Sequence, residues 1–148
     1  MRLLIIFIVN ISLLTSCGVD KPKHFIKTQE QGVWRSVNLH NNYGLFRPKN
    51  PEVWRRVVDV LSEKYDILMS DIASGYMRTD WRKMAVTDKQ YQTRIIVKMQ
   101  GRIWHTAKLK IEARWREDHD EAWIIGYDKT VLNEIYRDIQ GRLGTSVR

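Results

Sequence analysis

Cysteine is almost absent from this sequence, which has one cysteine, Cys17, among 148 residues. A single cysteine cannot form an internal disulfide, so disulfides are excluded as a source of stability. Long apolar runs are also missing. Residues 3–14 form an apolar run that is too short to span a bilayer, which takes roughly 20 residues. No internal repeat or low-complexity tract is present.

The sequence also lacks the usual signals of catalysis. There is neither a Gly-x-Ser-x-Gly motif nor a glycine-rich phosphate loop. No cysteine or second histidine lies at metal-ligand spacing to any histidine. Residues 118–121 form the one local cluster of acidic and histidine side chains, and a charged turn explains them. We therefore expect no enzyme activity, no cofactor and no metal. The four histidines are His24, His40, His105 and His119.

The beginning of the chain has the layout of a secretory signal, with Arg2 before the apolar run and small residues after it. Leu14-Thr15-Ser16-Cys17 resembles the lipobox of bacterial lipoproteins. The resemblance implies cleavage before Cys17 and a diacylglycerol on its thiol, and Gly18 in place of aspartate implies sorting to the outer membrane. We expect an outer-membrane lipoprotein that faces the periplasm. The alternative is an ordinary cleaved signal that leaves a free thiol.

Positive charge exceeds negative charge, with 25 Lys and Arg against 17 Asp and Glu and a formal net charge of +8. Such an excess favours anionic surfaces. Candidate partners are an anionic glycolipid such as lipopolysaccharide, a wall polymer, or an acidic envelope protein, besides the membrane itself through the lipid on Cys17. Nucleic acid is not expected for an exported chain. The alternative is a basic protein whose lysines are only solvated.

The length and the pattern predict a signal peptide (1–16), a lipidated N-terminus and tether (17–32) and one domain (33–148). A helix is predicted over residues 51–64, with Asn50 as its N-cap, because apolar residues recur at helical spacing. A second helix is predicted after Asp128, with one apolar stripe. The stripe of the first helix comprises Trp54, Val57, Val58 and Leu61, and that of the second comprises Leu132, Ile135, Tyr136, Ile139 and Leu143.

Between the helices the pattern alternates as in strands. Two short strands are predicted around residues 67–69 and 76–81, a longer one over 91–99, and the longest over 103–115 after a short turn at 100–102. A final short strand over 122–126 is also indicated, as is a short edge strand from residues 33–34 and 37–39, before the first helix. The expected fold is α+β, with an antiparallel sheet of four to five strands and two helices packed on one face.

Four segments resemble the helix-grip domains of BamC-like outer-membrane assembly lipoproteins. They are residues 53–61, Tyr65-Asp66-Ile67, residues 74–81 and residues 91–97. The resemblance covers roughly residues 50–115 and includes Gly75-Tyr76-Met77-Arg78-Thr79-Asp80-Trp81, which matches a Gly-x-x-x-Thr-Asp-Trp pattern. It implies a helix-grip-like fold and a binding or scaffolding role in envelope assembly, without catalysis.

The outward positions of the two longest predicted strands are rich in basic residues. Like charges opposite one another in a sheet are mildly destabilising, so a cationic face needs solvent or an anionic partner. Tryptophan in the same register is a frequent anchor of interfaces. A solvated lysine face remains the alternative. The residues predicted to bind an anionic partner are Arg94, Lys98, Trp104, Lys108, Lys110 and Arg114.

The lipobox resemblance generates a direct prediction. Cys17→Ser should leave an uncleaved precursor without lipid, because the thiol is the acylation site. Mass spectrometry of the membrane fraction measures both cleavage and acylation. A variant that is still cleaved and lipid-modified would contradict the assignment, and recovery of the wild-type protein with the inner membrane on a density gradient would contradict the predicted sorting.

Overall fold

The computed structural model describes residues 21–39, 49–86 and 89–143. The predicted signal peptide and Cys17 lie outside these ranges. The described residues form eight strands and two helices. In chain order they are β1 (Phe25–Lys27), β2 (Val33–Asn38), α1 (Asn50–Ser62), β3 (Ile67–Asp71), β4 (Tyr76–Thr79), β5 (Arg82–Met84), β6 (Gln90–Gln100), β7 (Thr106–Arg116), β8 (Ile124–Asp128) and α2 (Lys129–Leu143).

The α+β class is confirmed, but the prediction of four to five strands is wrong, because one antiparallel sheet contains all eight. The two strands with no counterpart in the prediction, β1 and β5, have three residues each. Segments this short carry too little alternation to be recognised. They form strands because longer neighbours offer them free backbone groups, β8 to β1 and β6 to β5.

The sheet is built around the hairpin of β6 and β7, which pair along their whole length. The other edge of β7 is shared by β2 at residues 106–111 and by β8 at residues 113–115. The other edge of β6 is shared in the same way by β4 at residues 96–98 and by β5 at residues 91–93. Strand β3 lies outside β4, and β1 lies outside β8.

Gly32 lies where β2 and β8 meet on the edge of β7. Its N–H donates to the carbonyl of Gly126 at 3.1 Å. Its φ of 77° is in the region that glycine tolerates best, and a Cβ there would come within 2.5 Å of the Ile111 carbonyl oxygen. The segment before β2 therefore packs tightly on the sheet. Since β1 also pairs with β8, the folded part includes Phe25–Lys27, which the sequence assigned to the tether.

Both helices cover the inner face of the sheet, where alternate residues of β6 and β7 are apolar and buried. Trp54, Val57 and Leu61 of α1 are buried as predicted. Val58 is only half-buried and packs on the edge of this core, while Val60 is buried instead. The buried stripe of α2 includes Leu132, Ile135, Ile139 and Leu143, which confirms the prediction, and Tyr136 is half-buried beside it.

The two predicted helix caps differ in outcome. Asp128 Oδ1 accepts a hydrogen bond from the N–H of Val131 at 2.9 Å, so it caps α2 as predicted. Asn50 does not cap α1, because it is the first helical residue and Lys49 precedes it as N-cap. The Asn50 amide instead donates to the Arg102 carbonyl at 3.0 Å and accepts from the Trp104 N–H at 3.1 Å. It thus ties α1 to the β6–β7 turn.

Within the ranges described above, no helix is both long enough and apolar enough to cross a membrane.

Burial of the α1 stripe gives a stability prediction. Trp54 is 7% exposed and packs on Trp104 with ring centroids 5.7 Å apart. Trp54→Ala should lower the free energy of unfolding by about 3–5 kcal/mol, because it removes a buried ring and leaves a cavity. Thermal and denaturant melts measure the change. Arg55→Ala, at an exposed position of the same helix, is the control and should change stability little; equal losses in both variants would contradict the packing.

Candidate functional site

The face of the sheet opposite the helices, here called the outer face, is strongly basic. It is defined by the alternate residues of β4 to β7 that point away from the core. Glu112 lies among its cations, and Asp71 lies at its edge on β3. The cationic side chains of the outer face are Arg78, Lys83, Arg94, Lys98, Lys108, Lys110, Arg114 and Arg116.

Five of the six predicted binding residues lie together on the outer face, as strand alternation indicated. Trp104 does not, because it precedes β7 and lies in the β6–β7 turn. Its half-buried ring packs on Trp54 instead. The difference comes from the turn, which occupies residues 101–105 rather than 100–102. The five residues on the outer face are Arg94, Lys98, Lys108, Lys110 and Arg114.

The longer turn also decides which charges oppose one another. Lys98 pairs directly with Lys108, so one like-charge pair is present. Arg94 faces Glu112 instead of a lysine, and Arg114 faces Gln92. The sequence interpretation that both basic strands oppose like charges along their length therefore holds only at the Lys98–Lys108 end.

Glu112 is the electrostatic centre of the outer face. It is only 3% exposed, and it accepts from Arg94 Nε on Oε2 at 2.5 Å and pairs with Lys110 Nζ through Oε1 at 2.9 Å. A buried carboxylate is costly unless it is paired and hydrogen-bonded, and both oxygens are satisfied here. Glu112 therefore neutralises part of the charge of Arg94 and Lys110.

Two tryptophans from loops beside the sheet cover the arginines. The guanidinium carbons of Arg94 and Arg114 lie 4.4 Å and 4.1 Å from the ring centroid of Trp81. Those of Arg114 and Arg116 lie 4.3 Å and 4.4 Å from that of Trp123. These five residues, here called the Arg–Trp stack, alternate cation and indole, a geometry that favours cation–π attraction.

Hydrogen bonds fix the same arginines from the side. Arg114 Nε donates to Gln92 Oε1 at 2.9 Å, and Arg116 Nε donates to Gln90 Oε1 at 2.7 Å. Burial, followed by the charges of Arg94 and Arg116, lowers the pKa of Arg114. Burial disfavours the charged guanidinium, and the two neighbouring arginines add a smaller repulsion. The fold therefore holds these arginine side chains in place.

Lys98 and Lys108 lie at the opposite end of the outer face and are exposed. Among the described residues, neither has a hydrogen-bond or ion-pair partner. They line a depression of about 540 Å³ whose wall includes Trp34, which is 45% exposed. The other residues lining it are Ser74, Met99, Gln100 and Gly101. This end of the outer face therefore presents accessible positive charge.

The acidic turn at residues 118–121 contacts the ends of β6 and β7. The Nδ1 atom of the His119 ring lies 2.8 Å from the amide Nε2 of Gln90. Arg116 Nη1 donates to the backbone carbonyl of His119 at 2.5 Å. Across residues 21–39, 49–86 and 89–143, no group of three or more His, Cys, Asp or Glu side chains could hold a metal ion.

Several contributors to this face were missed at the sequence level. They are Glu112, the two glutamines of β6 and the two stacking tryptophans. The signal for three of them was present, because Gln90, Gln92 and Arg94 recur at every second position, as do Glu112, Arg114 and Arg116. With a turn of five residues after Gln100, these two triplets lie opposite one another across the hairpin. Trp81 and Trp123 come from loops, for which alternation gives no signal.

No protein-family model matches the chain, and a search of curated proteins found no significant match.

The role of Glu112 can be tested through stability. Glu112→Gln should lower the free energy of unfolding by about 1–3 kcal/mol, because it leaves Arg94 and Lys110 without their shared counter-charge. Chemical denaturation measures the change. Glu117→Gln is the matched control, since Glu117 is exposed and lies 3.5 Å from Lys89; it should change stability by less than about 1 kcal/mol. Equal effects would contradict the central role of Glu112.

Proposed function

We propose that this chain is an outer-membrane-anchored periplasmic lipoprotein that acts as a binding or scaffolding module in envelope assembly. The lipobox resemblance at Cys17 supports the anchor. The resemblance of residues 50–115 to BamC-like helix-grip domains supports the role, and two helices packed on one face of an antiparallel sheet are compatible with such a fold. The single observation that carries the proposal is the excess of cations on the outer face.

The charge balance of the outer face is the argument for a partner. Eight cationic side chains share it with Glu112 and, at the edge, Asp71. Such a surface creates a positive potential that attracts anions and steers charged partners. The ordered Arg–Trp stack adds rigidity, so little conformational entropy is lost when a partner binds there. An acidic patch on an envelope protein fits this surface.

The short tether limits how far the domain can lie from the membrane. If Cys17 carries the lipid, only the seven residues 18–24 separate it from β1. Fully extended, they reach at most about 25 Å. The domain would therefore stay close to the membrane, within reach of the periplasmic parts of membrane proteins and of lipid headgroups.

A second candidate function is binding of lipopolysaccharide or a wall polymer through the basic face. The observation that favours it is the depression at Lys98 and Lys108, where an exposed indole adjoins two exposed ammonium groups. Amphipathic ligands that combine a ring with anionic groups match such a surface.

The test compares charge reversal at two pairs of lysines in the acylated full chain. Lys98→Glu with Lys108→Glu should abolish co-purification of the β-barrel assembly machine or of anionic glycolipid from solubilised membranes, because it reverses the local field. Lys27→Glu with Lys129→Glu is the control, with the same change in net charge at exposed positions elsewhere.

Binding should also weaken as salt rises, because exposed charges are screened over about 8 Å at physiological ionic strength. Recovery of neither the assembly machine nor glycolipid with the wild-type protein would contradict the proposed function. Equal recovery with both double variants would move the binding surface away from the outer face.

A further inference from the structure

The cationic side chains of the outer face differ in the contacts that they make within the fold. The arginines of the Arg–Trp stack have their faces against indoles and their Nε atoms bonded to Glu112, Gln92 or Gln90. Lys110 is held by Glu112 and lies 5.6 Å from the Trp34 ring centroid. Lys98 and Lys108 have no such partner among the described residues.

The pairing of Lys98 with Lys108 is mildly unfavourable; solvent weakens the repulsion, and an anion between the two charges would weaken it further. Residues directly opposite in an antiparallel sheet have Cβ atoms about 4.5–5.5 Å apart, and like charges at these positions destabilise the sheet. Two ammonium groups that start so close together can converge on one anion. Binding would then relieve a repulsion that the fold imposes on the free protein.

The depression around the two lysines has room for more than a small ion. Its volume of about 540 Å³ falls within the usual range for sites that bind small organic molecules. Trp34 offers it an exposed indole, and the turn residue Gly101 leaves the opposite side open, since an added Cβ would meet only the Ile103 carbonyl oxygen at 3.6 Å. A ligand that carries a ring next to an anionic group therefore fits this depression.

We propose that this depression binds a phosphate monoester carried on a sugar ring, with Lys98 and Lys108 at the phosphate and Trp34 against the ring. A monoester carries about −1.5 to −2 charges at neutral pH, which matches two lysines, whereas a phosphodiester carries only one. Lysine contacts phosphate as a point charge, so the pair needs no bidentate geometry. The inference deepens the proposed function and rests on it, because it takes the ligand to be an envelope component.

Calorimetry on the full chain in detergent micelles tests the ligand class. Glucose 1-phosphate should bind, methyl glucoside should not, and dimethyl phosphate should bind at least about tenfold more weakly than the sugar phosphate, because it has one charge fewer. Equal affinity for dimethyl phosphate and glucose 1-phosphate would overturn the assignment to a monoester.

Variants test the residues. Lys98→Gln with Lys108→Gln should weaken glucose 1-phosphate binding by at least about tenfold, while the control pair Lys27→Gln with Lys129→Gln should leave it unchanged. Trp34→Ala should weaken glucose 1-phosphate but leave inorganic phosphate unaffected. Thermal melts confirm that each variant is folded. Unchanged binding in the folded Lys98 and Lys108 double variant would overturn the site.

A last comparison separates this inference from the proposed function and identifies the source of the ligand. A glycolipid with sugar phosphomonoesters, added to the micelles, should displace glucose 1-phosphate from the full chain, and phosphodiester lipids should not, if the sugar phosphate is borne by a lipid. No displacement by the glycolipid, with glucose 1-phosphate still bound, would indicate a soluble or polymeric sugar phosphate. Failure of both glucose 1-phosphate and the glycolipid to bind, with co-purification of the assembly machine intact, would overturn the inference and leave the proposed function standing.

Discussion

The register between β6 and β7 is the constraint on which the rest of the structure depends. It places Arg94 opposite Glu112 and Ile95 opposite Ile111, so one pairing sets both faces at once. The inner face gives the helices an apolar surface to cover, and the outer face lines up charges with their acceptors. Each outer edge of the hairpin is also shared by two short strands. Strands β2, β4, β5 and β8 each need a part of this hairpin for their backbone hydrogen bonds.

The outer face divides into two ends with different physical character. At one end, Glu112, the glutamines of β6 and the indoles of Trp81 and Trp123 hold the arginines in place. Packing and hydrogen bonds there compensate for crowded positive charge. At the other end, Lys98 and Lys108 are exposed beside Trp34. Among the described residues, these two lysines make no hydrogen bond or ion pair, so the two ends differ in how their positive charge is compensated.

A second, smaller core cluster, which contains Phe25, Tyr91 and Trp115, explains why the segment before β2 belongs to the domain. Phe25 packs edge-on against Tyr91 and Trp115, with ring centroids 6.2 Å and 6.3 Å away. The Tyr91 hydroxyl in turn donates to Asp128 Oδ2 at 2.5 Å, and burial together with this bond raises the pKa of Tyr91. The residue that caps α2 is therefore linked through one buried tyrosine to β1. Because these contacts hold β1 in the domain, the segment between the proposed lipid anchor and the sheet is short.

The sequence alone determined which elements have strong periodicity and which side of each is apolar. Both helices, the paired strands β3 and β4, and the faces of β6 and β7 were predictable because 3.6-residue and two-residue periods are local properties of the chain. Alternation also placed Lys98 and Lys108 on the outer face. Tertiary structure alone decided the register, since the length of the turn after Gln100 determines which charges meet and alternation fixes only their side. It also decided the three-residue strands, the role of Asn50 and the position of Trp104, because each depends on hydrogen bonds or packing with residues distant in the sequence.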